Sequence, residues 1–129
     1  MSAARIPAGT LQPGVTGSVN FNNIGSGTCG MSAMFGCAWG NGRFLFLGSG
    51  ASNFNLATSP IANNCASVSN SNTLFSTRGR GAVYGPTNSR WVALGEGTNS
   101  IAYSDDDATT WTGLGTSIFT VGYYVAVRE

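Results

Sequence analysis

The acidic side chains that could support acid–base or metal chemistry are few and mostly adjacent. Of the five carboxylates, Asp105, Asp106 and Asp107 are consecutive, and the others are Glu96 and Glu129. Glycoside hydrolysis needs two separated carboxylates that face each other. Consecutive residues of a strand point in alternating directions, and no spaced acidic pattern completes a calcium shell. We therefore expect no catalytic residue and no metal site, with calcium binding by the three aspartates as the alternative to a role in organising a turn.

Other common catalytic and binding chemistries are excluded by composition. The chain of 129 residues contains no histidine, and all six of its basic residues are arginines. Without imidazole there is no Ser-His-Asp or Cys-His catalysis and no histidine-ligated zinc. The net charge of +1, with 9% charged residues, argues against binding to nucleic acid or to anionic membranes. We expect no cofactor, no nucleic-acid partner and no membrane partner.

The elements that must position these residues are predicted to be short strands. An apolar fraction of 42% is combined with 19 glycines, which favours strands joined by tight turns. The apolar runs 43–47 and 90–94 each end at a glycine, as buried strands often do. Residues 1–17 contain two prolines and no periodic pattern, so we expect an extended N-terminal arm before a β-repeat domain at 18–129.

An internal repeat organises the β-domain. Three pairs of segments align at offsets of 44 to 47 residues: 36–48 with 81–95, 55–59 with 100–104, and 74–76 with 118–120. The alignment gives whole units at about 36–80 and 81–121 and a partial unit at 122–129, and residues 19–24 resemble the last strand of a further copy. A unit of this length with four strands has the dimensions of a propeller blade. We predict an all-β fold of blade-like repeats, and a β-sandwich is the alternative.

One motif in the second unit is specific enough to suggest a family. Ser104, Asp106, Thr110 and Trp111 match four fixed positions of Ser-x-Asp-x-Gly-x-Thr-Trp, and Ala108 replaces the glycine. The pattern resembles the Asp-box (BNR) repeat of sialidase-type β-propellers. The resemblance implies a hairpin turn at the blade periphery, away from any central site, in which the aspartate organises the turn. In the first unit, residues 59–66 keep only the serine.

Two arginine-containing segments are weaker candidates for binding sites. Residues 5–7 reproduce the Arg-Ile-Pro element of sialidases, which would imply that Arg5 binds a carboxylate, but this chemistry needs further groups gathered from several blades. Arg78 and Arg80 flank a glycine, and we expect them in a solvated turn rather than at an anion site.

Aromatic residues at the predicted first strands are candidate ligand or partner contacts. Trp39, Tyr84, Tyr123 and Tyr124 occupy these positions, and an exposed aromatic row would stack on sugars. The alternative is that these rings fill the seams between units, as aromatic side chains commonly do.

The three cysteines give a prediction about redox state. Their number is odd, and no apolar stretch follows the first residues as a secretion signal would require. We expect Cys29, Cys37 and Cys65 to be reduced, with a disulfide between Cys29 and Cys37 as the alternative.

These observations narrow the function to three hypotheses. Two whole units and a partial one leave unpaired strands at the sheet edges. We expect other chains to contact this chain through these edge strands and through the N-terminal arm. We therefore expect a non-enzymatic structural or adhesion module in a multi-subunit assembly, and the composition fits a viral or phage particle component. A glycan-binding module and a fragment of a sialidase-like hydrolase are the alternatives.

Overall fold

The computed structural model describes residues 31–50, 56–59 and 65–128. These residues form two four-stranded antiparallel sheets in which consecutive strands are neighbours. The first sheet contains β1 (Ala33–Gly40), β2 (Arg43–Ser49), β3 (Leu56–Ser59) and β4 (Ala66–Ser67). The second contains β5 (Arg78–Gly85), β6 (Arg90–Glu96), β7 (Ile101–Ser104) and β8 (Thr112–Gly113). The predicted all-β fold is confirmed, whereas the predicted arm at 1–17, Arg5 and residues 19–24 lie outside the described residues.

The two sheets repeat each other strand by strand. Each strand of the second sheet begins 45 to 47 residues after its counterpart in the first, in agreement with the offset found in the sequence. The register continues beyond the last strand, since Val68 N donates to Leu56 O and Leu114 N donates to Ile101 O, both at 3.0 Å. A single turn of helix, α1 (Ser71–Leu74), precedes the second sheet. Strand order and length fit both a pair of propeller blades and a two-sheet sandwich.

Local sequence explains the hairpin that begins the first sheet. Asn41 and Gly42 separate β1 from β2 and have φ angles of +46° and +76°. Positive φ at both central residues suits the twist of a two-residue hairpin, and asparagine followed by glycine is the preferred pair there. The turn therefore fixes the register in which Gly40 faces Arg43.

A β-bulge occurs at the same place in both sheets. Pairing passes from Met34 to Gly36 in β1 and from Gly79 to Gly81 in β5, so Phe35 and Arg80 are the extra residues. A bulge redirects the side chain of its extra residue and increases the local twist. The repeated bulge thereby brings Phe35 and Arg80 onto one surface, where Arg80 Cζ lies 5.7 Å from the Phe35 ring centroid.

The main core lies between the two sheets. Side chains alternate along a strand, so every second residue of β2 faces the second sheet. The core residues of the first sheet include Leu45, Leu47 and Leu56, and those of the second include Trp91, Ala93 and Ala102. A smaller cluster, which includes Phe46 and Ala57, is formed by the alternate residues of the first sheet. Among the described residues, no helix is both long and apolar enough to cross a membrane.

Candidate functional site

The turn after β7 is organised by the Asp106 carboxylate. Ser104 Oγ and Thr110 N donate to Asp106 Oδ1, both at 2.8 Å, and Thr110 Oγ1 donates to Oδ2 at 2.6 Å. The Thr110 hydroxyl, the Thr110 amide and the Ser104 hydroxyl all stabilise the charged form, which lowers the pKa of Asp106 to about 2. Ser104, Asp106 and Thr110, three of the four residues that match the Asp-box motif, therefore form one hydrogen-bonded unit.

Ala108, which departs from the motif, occupies a position that favours glycine. Asp107 and Ala108 have φ angles of +60° and +63°, in the left-handed region that L-residues adopt at a cost. Ala108 N donates to Ser104 Oγ at 3.0 Å, and Trp111 Nε1 donates to Ala108 O at 3.1 Å. The methyl group is buried in the main core, so Ala108 combines backbone strain with a packing contact.

The two aspartates beside Asp106 have separate arginine partners. Asp105 accepts two hydrogen bonds from Arg90, at 2.6 and 2.9 Å, and the hydrogen bonding lowers the pKa of Asp105 and raises that of Arg90. Asp107 pairs with Arg43 of the first sheet at 2.8 Å. Each carboxylate of the run is directed to its own partner, an arrangement that favours structural roles over shared cation binding. Within the described ranges, no group of three His, Cys, Asp or Glu residues is placed to hold a metal.

The first unit retains the serine of the motif without its aspartate. Ser59 is the counterpart of Ser104 at the end of its strand and is fully buried. The Ser59 hydroxyl has no hydrogen-bond partner in the described part of the chain. Within the described residues, no hydrogen bond compensates the desolvation of this buried hydroxyl.

The four aromatic residues singled out in the sequence do not form one continuous row. Tyr84 packs on Trp91, with ring centroids 5.0 Å apart, and joins the main core. Trp39 is 57% exposed at the first sheet, and Tyr123 and Tyr124 are 67% and 87% exposed at the far side of the second. Tyr84 therefore lies in the seam between the two sheets, whereas Trp39 is exposed on the first sheet and Tyr123 and Tyr124 are exposed on the far side of the second.

A stacked cluster that sequence reasoning missed lies between these ends. The Arg80 guanidinium lies 5.7 Å from the Phe35 ring centroid and 4.5 Å from that of Tyr123. Arg80 and Arg78 both pair with Glu96, at 2.9 and 2.5 Å. The interpretation of the two arginines as a solvated turn is wrong, because both belong to β5 and pair with a neighbouring strand. The aligned segments begin at residues 36 and 81 and so left this pair out, although Phe35 and Arg80 are 45 residues apart, as the starts of β1 and β5 are.

Two concave surfaces that described residues line lie close to the residues discussed above. One is a groove of about 190 Å³ that includes Phe35, Arg80 and Tyr123 in its lining. The other is a cleft of about 350 Å³ between α1 and the turn motif. It is lined by neutral residues, namely Ser69, Asn70, Thr73, Leu74, Asn99, Thr109, Thr110 and Trp111. Hydroxyl and amide groups beside an aromatic ring can form hydrogen bonds and stacking contacts with an uncharged polar ligand.

The cysteine prediction is corrected by the structure. Cys65 is disulfide-bonded, so the expectation that all three cysteines are reduced is wrong. Cys37 is free, which also contradicts the alternative pairing of Cys29 with Cys37, and Cys29 lies outside the described residues. Partial burial raises the pKa of the Cys37 thiol. A protonated thiol is a poor nucleophile, so Cys37 has no feature of an activated residue.

No protein-family model matches the chain, and neither the curated proteins nor the solved structures contain a match to it.

Proposed function

We propose that the chain is a non-enzymatic structural or adhesion module that acts within a multi-subunit assembly. The observation that carries the proposal is the unequal burial of repeat counterparts. Val68 and Leu74 of the first unit are 5% and 8% exposed, whereas their counterparts in the second unit, Leu114 and Ile118, are 48% and 77% exposed. Residues of the second sheet pack over Val68 and Leu74, whereas no described segment buries Leu114 and Ile118 in the same way.

The backbone at the edge of the second sheet supports the same proposal. Gly122 N donates to Gly95 O at 3.0 Å, which holds the start of residues 121–128 beside the second sheet. Past this point, residues 123–128 form no backbone hydrogen bonds with another strand in the described part of the chain. Backbone donors and acceptors that no described strand pairs are available to a strand of a neighbouring molecule.

The charged groups are consistent with a structural role. Asp105, Asp106 and Asp107 are engaged in turn and ion-pair contacts, and Glu96 is held by two arginines. The Glu96 carboxylate is engaged by both guanidinium groups, so its oxygens are used in contacts within the fold. Most acidic side chains of the chain therefore have a structural use.

The proposal is tested by the mass of the 129-residue chain in solution. We expect sedimentation equilibrium to give a mass above the 13.2 kDa of one chain, and Ile118→Asp to shift the population toward the monomer. A charge placed in a buried interface destabilises it strongly. The matched control is Thr87→Asp, in the exposed turn between β5 and β6, which should leave the mass unchanged. A monodisperse wild-type monomer at every concentration contradicts the proposal.

Glycan binding is the second candidate function, and the neutral cleft of about 350 Å³ favours it. Its lining combines Trp111 with polar side chains such as Asn70 and Thr109, which suits a neutral sugar better than an ion. Calorimetric titration with neutral oligosaccharides tests this candidate. Asn70→Ala should weaken binding and Thr87→Ala should not, while no binding of any sugar by the wild type contradicts it.

A further inference from the structure

Three successive segments pack side by side through one repeated contact. A Cβ added to Gly36 of β1 would collide with the Arg80 carbonyl oxygen of β5. A Cβ added to Gly81 of β5 would lie 3.3 Å from the Tyr123 carbonyl oxygen. Gly36 and Gly81 are repeat counterparts, so residues 121–128 lie beside β5 much as β5 lies beside β1.

A second pair of glycines gives the same relationship further along the strands. Gly40 of β1 approaches Tyr84 of β5 so closely that a side chain would clash with the ring. Its counterpart, Gly85, would place a Cβ 3.7 Å from Val127 Cγ2. Two independent points of contact thus align 121–128 with β5 and β5 with β1, and the three segments form a row with a fixed direction.

The exposed apolar side chains are concentrated at the two ends of this row. At the first end they are Met34 and Trp39 of β1, at 52% and 57% exposure, while Phe35 lines the groove that it shares with Arg80 and Tyr123. At the last end they are Tyr123, Tyr124 and Val127, at 67%, 87% and 43%. The middle segment, β5, contributes no side chain to the exposed large hydrophobics. β5 lies between two described segments and is covered. Among the described residues, β1 and 121–128 each have such a neighbour on one side only, and each resembles the neighbour that the other lacks.

We propose that the partner at each end is a second copy of this chain, joined head to tail. β1 of one copy packs on residues 121–128 of the next and repeats the contact that β5 makes with β1. This inference rests on the proposed function. It adds that the partner in the assembly is a second copy of the chain and that the copies all point in the same direction. The two surfaces differ, so the interface is heterologous and each copy presents one of each kind. Such an interface forms a closed ring where the rotation permits and otherwise an open chain.

Complementation between two defective variants tests the polarity. Trp39→Asp changes the β1 surface and leaves 121–128 intact, whereas Tyr124→Asp does the reverse. We expect each variant alone to be a monomer, and an equimolar mixture to form a complex of one copy of each, resolved by native mass spectrometry with one chain isotope-labelled. Thr87→Asp is the control and should assemble like the wild type.

The alternative outcomes distinguish this inference from the proposed function. If the wild type assembles and either variant assembles equally well, the head-to-tail contact is wrong and the structural function stands. The same holds if two defective variants fail to complement while each remains folded by circular dichroism. Because Trp39 also contacts Phe44, Met34→Asp provides a second β1 variant that leaves that pair intact. A wild-type monomer contradicts both the inference and the proposed function.

Discussion

Arg43 at the start of β2 and Asp107 in the turn after β7 form an ion pair of 2.8 Å that joins the two sheets. Arg90, the repeat counterpart of Arg43, pairs instead with Asp105 of its own unit. Trp91 Nε1 also lies 3.4 Å from Asp107 Oδ1, so one carboxylate is placed between a residue of each sheet. The turn motif therefore does more than stabilise its own hairpin, because through Asp107 it also contacts the neighbouring unit.

A double-mutant cycle measures the contribution of this pair. With Arg43→Gln, Asp107→Asn and the double variant, we expect a coupling free energy of about 0.5–1 kcal/mol, since both side chains are partly exposed. Urea unfolding provides the four free energies, and Arg90→Gln combined with Asp107→Asn is the control that should be additive. A coupling of zero between Arg43 and Asp107 would show that the pair does not join the sheets energetically.

The two repeat-related serines should respond to substitution in opposite ways. Ser104→Ala removes a donor to Asp106 and an acceptor for the Ala108 amide, and should lower the free energy of unfolding by about 1–2 kcal/mol. Ser59→Ala removes a buried hydroxyl without a described partner, and should be neutral or stabilise the fold by up to about 1 kcal/mol. Thermal and urea unfolding of both variants check this. Equal destabilisation by the two would contradict the assignment.

Substitution of Ala108 separates backbone strain from packing. Ala108→Gly relieves the positive φ but removes a buried methyl and makes the unfolded chain more flexible, so we expect a change within about 1 kcal/mol. Ala108→Val adds a branched side chain at a left-handed, fully packed position and should cost about 2–3 kcal/mol. Urea unfolding distinguishes the two. A valine variant as stable as the glycine variant would be incompatible with this geometry.

The Asp106 carboxylate should make stability depend on pH in acid. Because its pKa is lowered from 3.8 to about 2, the folded chain binds fewer protons than the unfolded chain between those values. The stabilisation is present above the unfolded pKa and is lost as pH falls through about 2. Melting temperatures of the wild type and Asp106→Asn across this range should therefore converge as the pH falls. Parallel curves would show that Asp106 does not titrate as the turn geometry requires.

Sequence reasoning succeeded where short-range patterns determine the structure. The apolar runs that end at Gly48 and Gly95 became β2 and β6, because short continuous apolar runs bounded by turn residues are typical of buried strands. Ala108, which stands where the matched motif has glycine, has a positive φ angle of +63°. These features depend on a few neighbouring residues, which the sequence displays directly.

Long-range contacts were not predictable in the same way. The bulges that redirect Phe35 and Arg80 depend on register between strands, which no local pattern of residues specifies. The disulfide bond of Cys65 was not predicted either, because cysteine spacing in a sequence does not show which sulfur atoms come close enough to bond. Tyr84 is packed in the core and Tyr123 is exposed because the two sheets cover one of these positions and not the other. That difference depends on how the units pack, which the sequence does not display.

Hydroxyl-radical footprinting of Ile118 tests most directly whether the free face of the second sheet is covered by another chain. Ile118 is 77% exposed in the isolated chain, so its oxidation rate should be high in a dilute solution of monomers. We expect the rate to fall as the concentration rises and the face becomes covered. A rate that stays at the level of the exposed side chain at every concentration would contradict the account.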